Sequence, residues 1–205
     1  MNDARDPLIS LLVRCGAVRF GEFTLKSGEP SPFFVDLGAV VRGDDLLELG
    51  AALARGLRRR FPETTLVFGP PYKGIVLATV TAAAAAREPG RPLSILYHRK
   101  ESKTHGEQGL FVGPRPTADD RVVVVDDVLS SGGTKLDAAA LLEQAFGVRP
   151  LGILVVLDRT RKGCAFDRAR MPVHALITML DLADYLAACG DPRAEVIRRY
   201  YQEGA

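Results

Sequence analysis

The stretch RVVVVDDVLSSGGTK, from Arg121 to Lys135, decides the fold. Its four consecutive valines predict a β-strand that is buried on both faces, as in the interior of a parallel sheet. Asp126 and Asp127 stand where this strand emerges, and small residues lead from there into a helix. Because ligands of open α/β sheets bind at the carboxyl ends of the strands, the same stretch also predicts a binding site.

The loop between this strand and the helix has the composition of a phosphate-binding loop. Ser130, Ser131 and Thr134 offer hydroxyl donors. Gly132 and Gly133 let backbone N–H groups approach an anion at the start of the helix. Since like charges repel, the two preceding aspartates suit the hydroxyls of a sugar better than its phosphate. The pattern predicts a phosphorylated ribose, and the alternative is a plain strand-to-turn junction with capping aspartates.

Strands and helices alternate along the rest of the chain. The expected strands lie at 65–68, 93–98, 122–125, 151–157 and 173–177, with shorter runs at 23–25 and 33–37. The expected helices lie at 7–15, 44–60, 135–146 and 181–201, with one more from the GPPYKG segment to about residue 87. This order predicts an α/β fold with a central, mostly parallel sheet flanked by helices. The loops after residues 68, 98, 125 and 157 should then meet at one site, and the polar stretch 99–120 should form a long functional loop.

The composition excludes several classes of protein. The 205 residues suit a single domain, 1–205, and a net charge of +2 gives no basic footprint of a nucleic-acid binder. Cys15, Cys164 and Cys189 lack metal-ligand spacing, and neither a Walker motif nor a GxGxxG fingerprint is present. The N-terminus does not resemble a signal peptide, and the longest apolar run, 75–86, is too short to span a bilayer. We therefore expect a cytoplasmic protein without nucleic-acid or membrane partners.

The valine strand, acidic pair and Ser/Gly/Thr loop together resemble the PRPP-binding signature of the type I phosphoribosyltransferases, where PRPP is 5-phosphoribosyl 1-pyrophosphate. Three further segments resemble the orotate phosphoribosyltransferases: FGEFTLKSGEPSPFFVD, 20–36; VFGPPYKGIVLAT, 67–79; and HRKESKTHGEQGLFVG, 98–113. LDRTRKG, 157–163, is a weaker match. This chain departs from the family at Pro71, where a small residue is usual, and at Gln108, where glycine is common.

The resemblance implies a role for each matching residue. The implied catalytic residues are Lys73, Lys100, Lys103, His105, Asp126 and Asp127. The implied PRPP contacts are Lys26, Tyr72, Lys73, Arg99, Lys100, Lys103, His105, Asp126, Asp127, Val128, Leu129, Ser130, Ser131, Gly132, Gly133 and Thr134. The implied orotate contacts are Phe33, Phe34, Ser130 and Arg159. From the residues alone, the two phenylalanines also fit an ordinary core strand, the basic loop a solvated surface, and the arginine a structural ion pair.

The resemblance also implies the reaction and its requirements. Orotate and PRPP would give orotidine 5′-monophosphate and pyrophosphate, in pyrimidine nucleotide synthesis. Mg²⁺ would be held mainly by PRPP and water, with no direct protein ligand. The type I phosphoribosyltransferase fold would add a small N-terminal hood and base-binding segment within 1–40 and a mobile catalytic loop at 99–113. That loop would reach the neighbouring site in a homodimer. The alternatives are an enzyme for another base, a non-catalytic PRPP sensor, or half of a bifunctional UMP synthase.

Overall fold

The computed structural model describes residues 5–25, 28–87, 92–103, 109–161, 166, 168 and 171–203. Within these ranges the helices are α1 (Arg5–Arg14), α2 (Gly43–Arg60), α3 (Lys73–Ala85), α4 (Gly133–Phe146), α5 (Met179–Ala188) and α6 (Arg193–Gln202), with a 3-10 turn at Leu37–Ala39. The strands are β1 (Val18–Thr24), β2 (Pro30–Val35), β3 (Leu66–Gly69), β4 (Ser94–Lys103), β5 (Gly109–Val112), β6 (Val122–Leu129), β7 (Gly152–Asp158) and β8 (Val173–Thr178). None of these helices is both long and apolar enough to cross a bilayer.

The main sheet has the strand order β5-β4-β3-β6-β7-β8. Neighbouring strands are parallel throughout except for β5, which pairs antiparallel with β4. The four consecutive valines of β6, 122–125, are at most 1% exposed. Val123 and Val125 pack into the apolar cluster shared with α1, α2 and α5, whereas Val122 and Val124 pack into the cluster beneath α4. Both faces of the sheet are therefore covered, which confirms the predicted α/β fold with a mostly parallel sheet.

Strand β5 and the extension of β4 were not predicted, because the stretch 99–120 was expected to be a loop. In the structure β4 continues to Lys103, which pairs with Gly109 in β5. The charged residues of this stretch gave no apolar pattern from which a strand could be predicted. Strands at a sheet edge pair through backbone hydrogen bonds and need few apolar side chains. Phe111 supplies the apolar contact, because its ring lies 6.1 Å from the ring of Phe68 in β3. Residues 104–108, the middle of the predicted mobile loop, lie outside the described residues.

The C-terminal segment also differs from its prediction. The helix expected over 181–201 is two helices, α5 and α6, because Gly190 adopts a left-handed conformation with φ of +70°. A glycine in this conformation commonly ends a helix, since it carries no Cβ to oppose the turn. The break lets α6 pack beside the N-terminal hairpin, where the Tyr200 ring lies 5.0 Å from the Phe33 ring.

Strands β1 and β2 form a separate two-stranded antiparallel sheet, which we call the hood. Both strands begin earlier than the sequence indicated, at Val18 and Pro30. Ser31, Phe33 and Val35 of β2 are buried while the residues between them are not, as the two-residue period of a strand requires. The predicted small N-terminal hood is thus present as a hairpin.

Candidate active site

The loops at the carboxyl ends of the central strands converge, as predicted. Lys73, in the first turn of α3 after β3, places its Nζ 3.4 Å from Oδ2 of Asp127 in β6. Lys100, near the end of β4, places its Nζ 4.8 Å from the ring centroid of Tyr72. Because these contacts join β3, β4 and β6, the predicted cationic and acidic side chains share one edge of the sheet.

Five charged side chains of alternating sign run across this edge, and we call them the charge chain. Asp36 Oδ1 lies 2.7 Å from Lys73 Nζ, and Lys73 contacts Asp127 at 3.4 Å. Lys135 Nζ lies 3.8 Å from Asp127 Oδ1 and 2.7 Å from Asp126 Oδ2. Neither Asp36 nor Lys135 was among the site residues predicted from the sequence. The signal for Lys135 was its position at the end of the signature stretch, whereas Asp36 meets its partner across 37 residues of chain.

The two aspartates of β6 differ in how far they are buried. Asp126 is 7% exposed, and burial raises the pKa of its carboxyl while the charge of Lys135 opposes the shift. Asp127 is only partly buried, and its Oδ1 accepts a hydrogen bond of 2.6 Å from the N–H of Val128. Asp127 therefore presents the more accessible carboxylate to a ligand, and Asp126 forms the base of the site.

Lys73 stays protonated despite partial burial. Desolvation lowers the pKa of Lys73, but its hydrogen bond to Asp36 and the charge of Asp127 outweigh that effect, so its pKa is raised overall. The same hydrogen bond from Lys73 holds the pKa of Asp36 below its usual value. The site thus keeps a full positive charge next to the acidic pair at neutral pH.

The loop between β6 and α4 has the shape of an anion site. Gly132 has φ of +79°, and a Cβ there would collide with the ring of Phe166, so only glycine fits without rearrangement. The next residue, Gly133, begins α4, whose N-terminus favours negative charge. Ser130, Ser131, Gly133 and Thr134 are exposed around this helix start. Val128 and Leu129 still belong to β6, and Leu129 is fully buried, so only its backbone faces the loop.

The turn after β3 presents Tyr72 and Lys73. A Cβ on Gly69 would collide with the carbonyl oxygen of Gly74, so the two glycines let the chain fold tightly back on itself. The peptide bond between Pro71 and Tyr72 is cis. Tyr72 is 67% exposed, which leaves its ring available to a ligand or to the neighbouring Lys100.

The phenylalanine pair of the hood is split between the core and the surface. Phe33 has no exposed surface and packs edge-on against Tyr200. Phe34 points to the opposite side of β2, 5.6 Å from the Phe23 ring and 5.4 Å from the Arg19 guanidinium. Both residues are implied orotate contacts, but their rings do not form one stacking surface, because adjacent residues of a strand face opposite ways. The Phe33 ring is part of the core, which was the alternative that the sequence left open.

Arg159 is fixed by its backbone. Its N–H donates to the carbonyl of Leu129 at 2.9 Å, and its own carbonyl accepts from the Tyr201 hydroxyl at 2.9 Å. Its guanidinium lies 5.9 Å from the Phe33 ring, between the hood and the end of β7. The ion pair in this segment belongs to Asp158, which contacts Arg168 at 2.5 Å. No ion pair of Arg159 with a described carboxylate is present.

Three predicted PRPP contacts, one near the hood and two in the basic segment 98–113, lie wholly or partly outside the described residues. Lys26 and His105 lie outside the described residues, as does the side chain of Lys103, although its backbone ends β4. Arg99 is described, and its Nη1 donates to the carbonyl of Gly109 across the β4–β5 pair at 3.1 Å. The structure therefore brings Arg99 and Lys100 to the site edge and says nothing of the other three side chains.

A separate cavity of about 1260 Å³ lies between the hood and α6. Its lining includes Phe23, Ser31, Arg161 and Tyr200, and it contains no member of the charge chain. The charged and phosphate-binding groups therefore lie at the sheet edge and not in this cavity.

Comparisons with known proteins agree with this geometry. The family model described as "Phosphoribosyl transferase domain" matches residues 38–168. The orotate phosphoribosyltransferase of Legionella pneumophila (strain Paris) is 36% identical over 212 residues, covering 99% of this chain and 98% of the relative. The crystal structure of the Francisella tularensis orotate phosphoribosyltransferase superposes with a TM-score of 0.77 at 25% identity, covering 95% of this chain and 97% of that one. The Mycobacterium tuberculosis H37Rv orotate phosphoribosyltransferase in complex with PRPP gives 0.65 at 25% identity, covering 88% and 99%.

Proposed function

Because the chain belongs to the orotate phosphoribosyltransferases of the type I phosphoribosyltransferase family, we propose that its site joins orotate to the phosphoribosyl group of PRPP. The products are orotidine 5′-monophosphate and pyrophosphate, in the synthesis of UMP. One observation carries the proposal: the phosphate loop, the acidic pair of β6 and the Lys73 amine meet at one sheet edge. A phosphate, a ribose and a pyrophosphate each need one of these three groups.

The reaction breaks the bond between ribose C1 and the pyrophosphate oxygen. The bonding electrons leave with pyrophosphate, positive charge develops on the ribose ring, and a ring nitrogen of orotate bonds to C1 and gives up its proton to solvent. Catalysis should come mainly from stabilising the leaving anion and from holding the two reactants in line. Groups that already carry fixed charges in the free protein suit this task, because they need no reorganisation during the reaction.

The 5′-phosphate and the ribose are assigned to the signature stretch. Backbone N–H groups at the start of α4 and the exposed hydroxyls of the loop would bind the phosphate. Asp127 would accept hydrogen bonds from the ribose hydroxyls, supported by its partial exposure and its place between the loop and Lys73. Asp126, which is paired with Lys135, would support ribose binding from the base of the site.

The leaving pyrophosphate is assigned to the cationic side of the site. Lys73 lies 2.7 Å from Asp36 in the free protein and would exchange that carboxylate for a pyrophosphate oxygen. Arg99 and Lys100 at the end of β4 would add positive charge. Lys103 and His105 remain proposed members of this group on the strength of the sequence resemblance. A basic loop that closes over PRPP would also exclude water and limit hydrolysis.

Orotate is assigned to the space between the hood and β7. The planar guanidinium of Arg159 suits the orotate carboxylate, because it can donate two parallel hydrogen bonds. The support is that Arg159 is anchored through its backbone and has no described carboxylate partner. Since the Phe33 ring is buried, Phe33 and Phe34 would recognise the base chiefly through the backbone of β2, and Ser130 would border the base from the phosphate loop.

The site fits Mg²⁺ that is carried largely by the substrate. Among the described residues, no three His, Cys, Asp or Glu side chains are grouped as a metal site. Both aspartates of β6 contact lysines, so Asp127 would act through a bound water rather than as a direct ligand. When bound, Mg²⁺ would neutralise the pyrophosphate oxygens and favour their departure.

The homodimer, the reach of segment 99–113 into a neighbouring site, the single-domain organisation and the cytoplasmic location remain predictions. Size-exclusion chromatography with light scattering tests the first. A mixing experiment tests the second, in which inactive Lys73→Ala chains are combined with chains inactivated at Lys103. Regained activity would mean that an intact loop serves the other chain's site.

Turnover provides the decisive test of the function. The protein is mixed with PRPP, Mg²⁺ and orotate, and the loss of orotate absorbance is followed. Uracil, adenine and hypoxanthine are run in parallel, with product formation followed chromatographically. We expect turnover of orotate alone. Turnover of one of the other bases without orotate would refute the substrate assignment, and PRPP binding without turnover of any base would favour a PRPP sensor.

A further inference from the structure

Lys135 occupies a buried position of α4 at which the amphipathic pattern predicts an apolar residue. The buried residues of α4 are Lys135, Ala138, Ala139 and Leu142, spaced at i, i+3, i+4 and i+7. This spacing is the inward stripe of an amphipathic helix, and the other three members pack into the apolar cluster beneath the sheet. A lysine in the first turn is also opposed by the helix dipole, which favours anions there. Neither burial nor helix formation explains this residue.

The Lys135 amine forms ion pairs with both aspartates of β6. Its side chain is 8% exposed, and its Nζ lies 2.7 Å from Asp126 and 3.8 Å from Asp127. An apolar side chain in this place, combined with an uncharged residue at 126, would avoid burying two charges. Residues that break a local rule in this way are found chiefly at functional sites. The pair is therefore better explained by the site above it than by the core around it.

We propose that Lys135 is a positioning residue for the ribose site: its amine pairs with Asp126 and fixes the orientation of that carboxyl group beneath Asp127. The inference rests on the proposed function, since it takes the acidic pair as the ribose-binding group. One amine that lies 2.7 Å from Asp126 and 3.8 Å from Asp127 also lowers the repulsion between the two carboxylates, so both can face the same ligand. Lys135 touches neither substrate and acts only through the two aspartates.

The test compares Lys135→Met with wild-type protein, because methionine keeps the length of the side chain and removes the charge. PRPP binding is measured by calorimetry without orotate, and steady-state kinetics give both KM values. We expect the Kd for PRPP to rise about tenfold or more, the scale of one charge-assisted hydrogen bond. The KM for orotate at saturating PRPP should change less than twofold. Arg55→Met, on an exposed position of α2, is the control for loss of one positive charge and should leave PRPP binding unchanged.

A double variant keeps the proposal testable if Lys135→Met does not fold. Asp126→Asn with Lys135→Met removes both buried charges, so it should recover thermal stability while PRPP binding stays weak. Its Kd should lie close to that of Asp126→Asn alone, because Asp126, at 2.7 Å, is the nearer of the two aspartates through which Lys135 acts. A wild-type Kd in Lys135→Met or in the double variant would leave Lys135 with a structural role only. Wild-type protein that does not bind PRPP would overturn the proposed function itself, which is a distinct result.

Discussion

Replacing Gly132 by alanine should damage both the stability and the phosphate loop. Gly132 sits at φ of +79°, where a residue with a Cβ costs about 1–2 kcal/mol. The new Cβ would also overlap the Phe166 ring, and overpacking of this kind costs about 1–3 kcal/mol. Together these give a loss of roughly 2–5 kcal/mol in the free energy of unfolding. For a chain of this size the loss corresponds to a Tm lower by about 10 °C.

The neighbouring glycine provides a matched control. Gly133 begins α4 without a positive φ, and a Cβ on it would meet no heavy atom within 4 Å. Gly133→Ala should therefore leave Tm unchanged or raise it slightly, since alanine restricts the unfolded chain by about 0.4–1 kcal/mol. The two variants differ by one position and add the same methyl group, so a difference between them reports the geometry of the loop.

The assay is thermal unfolding followed by circular dichroism, with and without PRPP, together with the KM for PRPP. Gly132→Ala should unfold early and show a smaller rise in Tm on addition of PRPP, because the Phe166 ring and the loop must move apart. If Gly132→Ala and Gly133→Ala unfold within about 2 °C of each other, which is less than 1 kcal/mol, the strain argument for this loop is wrong.

Four further predictions concern the site. Arg159→Ala should raise the KM for orotate about tenfold to a hundredfold, because charge-assisted hydrogen bonds are lost. Arg161→Ala is the control, and a change in the PRPP KM alone would contradict the carboxylate assignment. Lys103→Ala should lower kcat far more than it weakens binding of the product nucleobase, and an unchanged kcat would remove the basic segment from the mechanism. Asp36→Asn removes the carboxylate that competes for Lys73, so the inhibition constant of pyrophosphate should fall by up to about fivefold, and an unchanged constant would show that the two do not compete. Chelation of Mg²⁺ should abolish turnover without changing the Tm of the free protein, whereas a lower Tm would reveal a metal bound by the protein itself.

The sheet could be predicted because its strands carry their own signal. Four valines in a row have no polar face, so they fit only the interior of a covered sheet. The edge of the sheet gave no such signal, since β5 and the end of β4 pair through backbone groups beneath charged side chains. The break at Gly190 could not be predicted, because a glycine within a helical pattern is compatible both with a continuous helix and with a helix end.

The site could be predicted where one local segment supplies several functional groups. The stretch from Asp126 to Thr134 carries its acidic pair and its loop together, so its role followed from the residues and the resemblance. Asp36 could not be assigned, because its partner Lys73 is brought to it by folding. The burial of the Phe33 ring was one of two interpretations that the sequence left open, because the sequence does not show which side of the strand faces the core.

The charge chain has a consequence for how the substrate must arrive. It holds three carboxylates and two amines, so each amine is already paired with a carboxylate in the free protein before any anion binds. Binding of PRPP would therefore break an amine–carboxylate pair, and PRPP complexed with a divalent cation would fit better than bare PRPP, because the complex brings a positive charge for the released carboxylate. The ion pairs of Lys73 and the aspartates in the free protein would thus be replaced by ion pairs with PRPP and its cation.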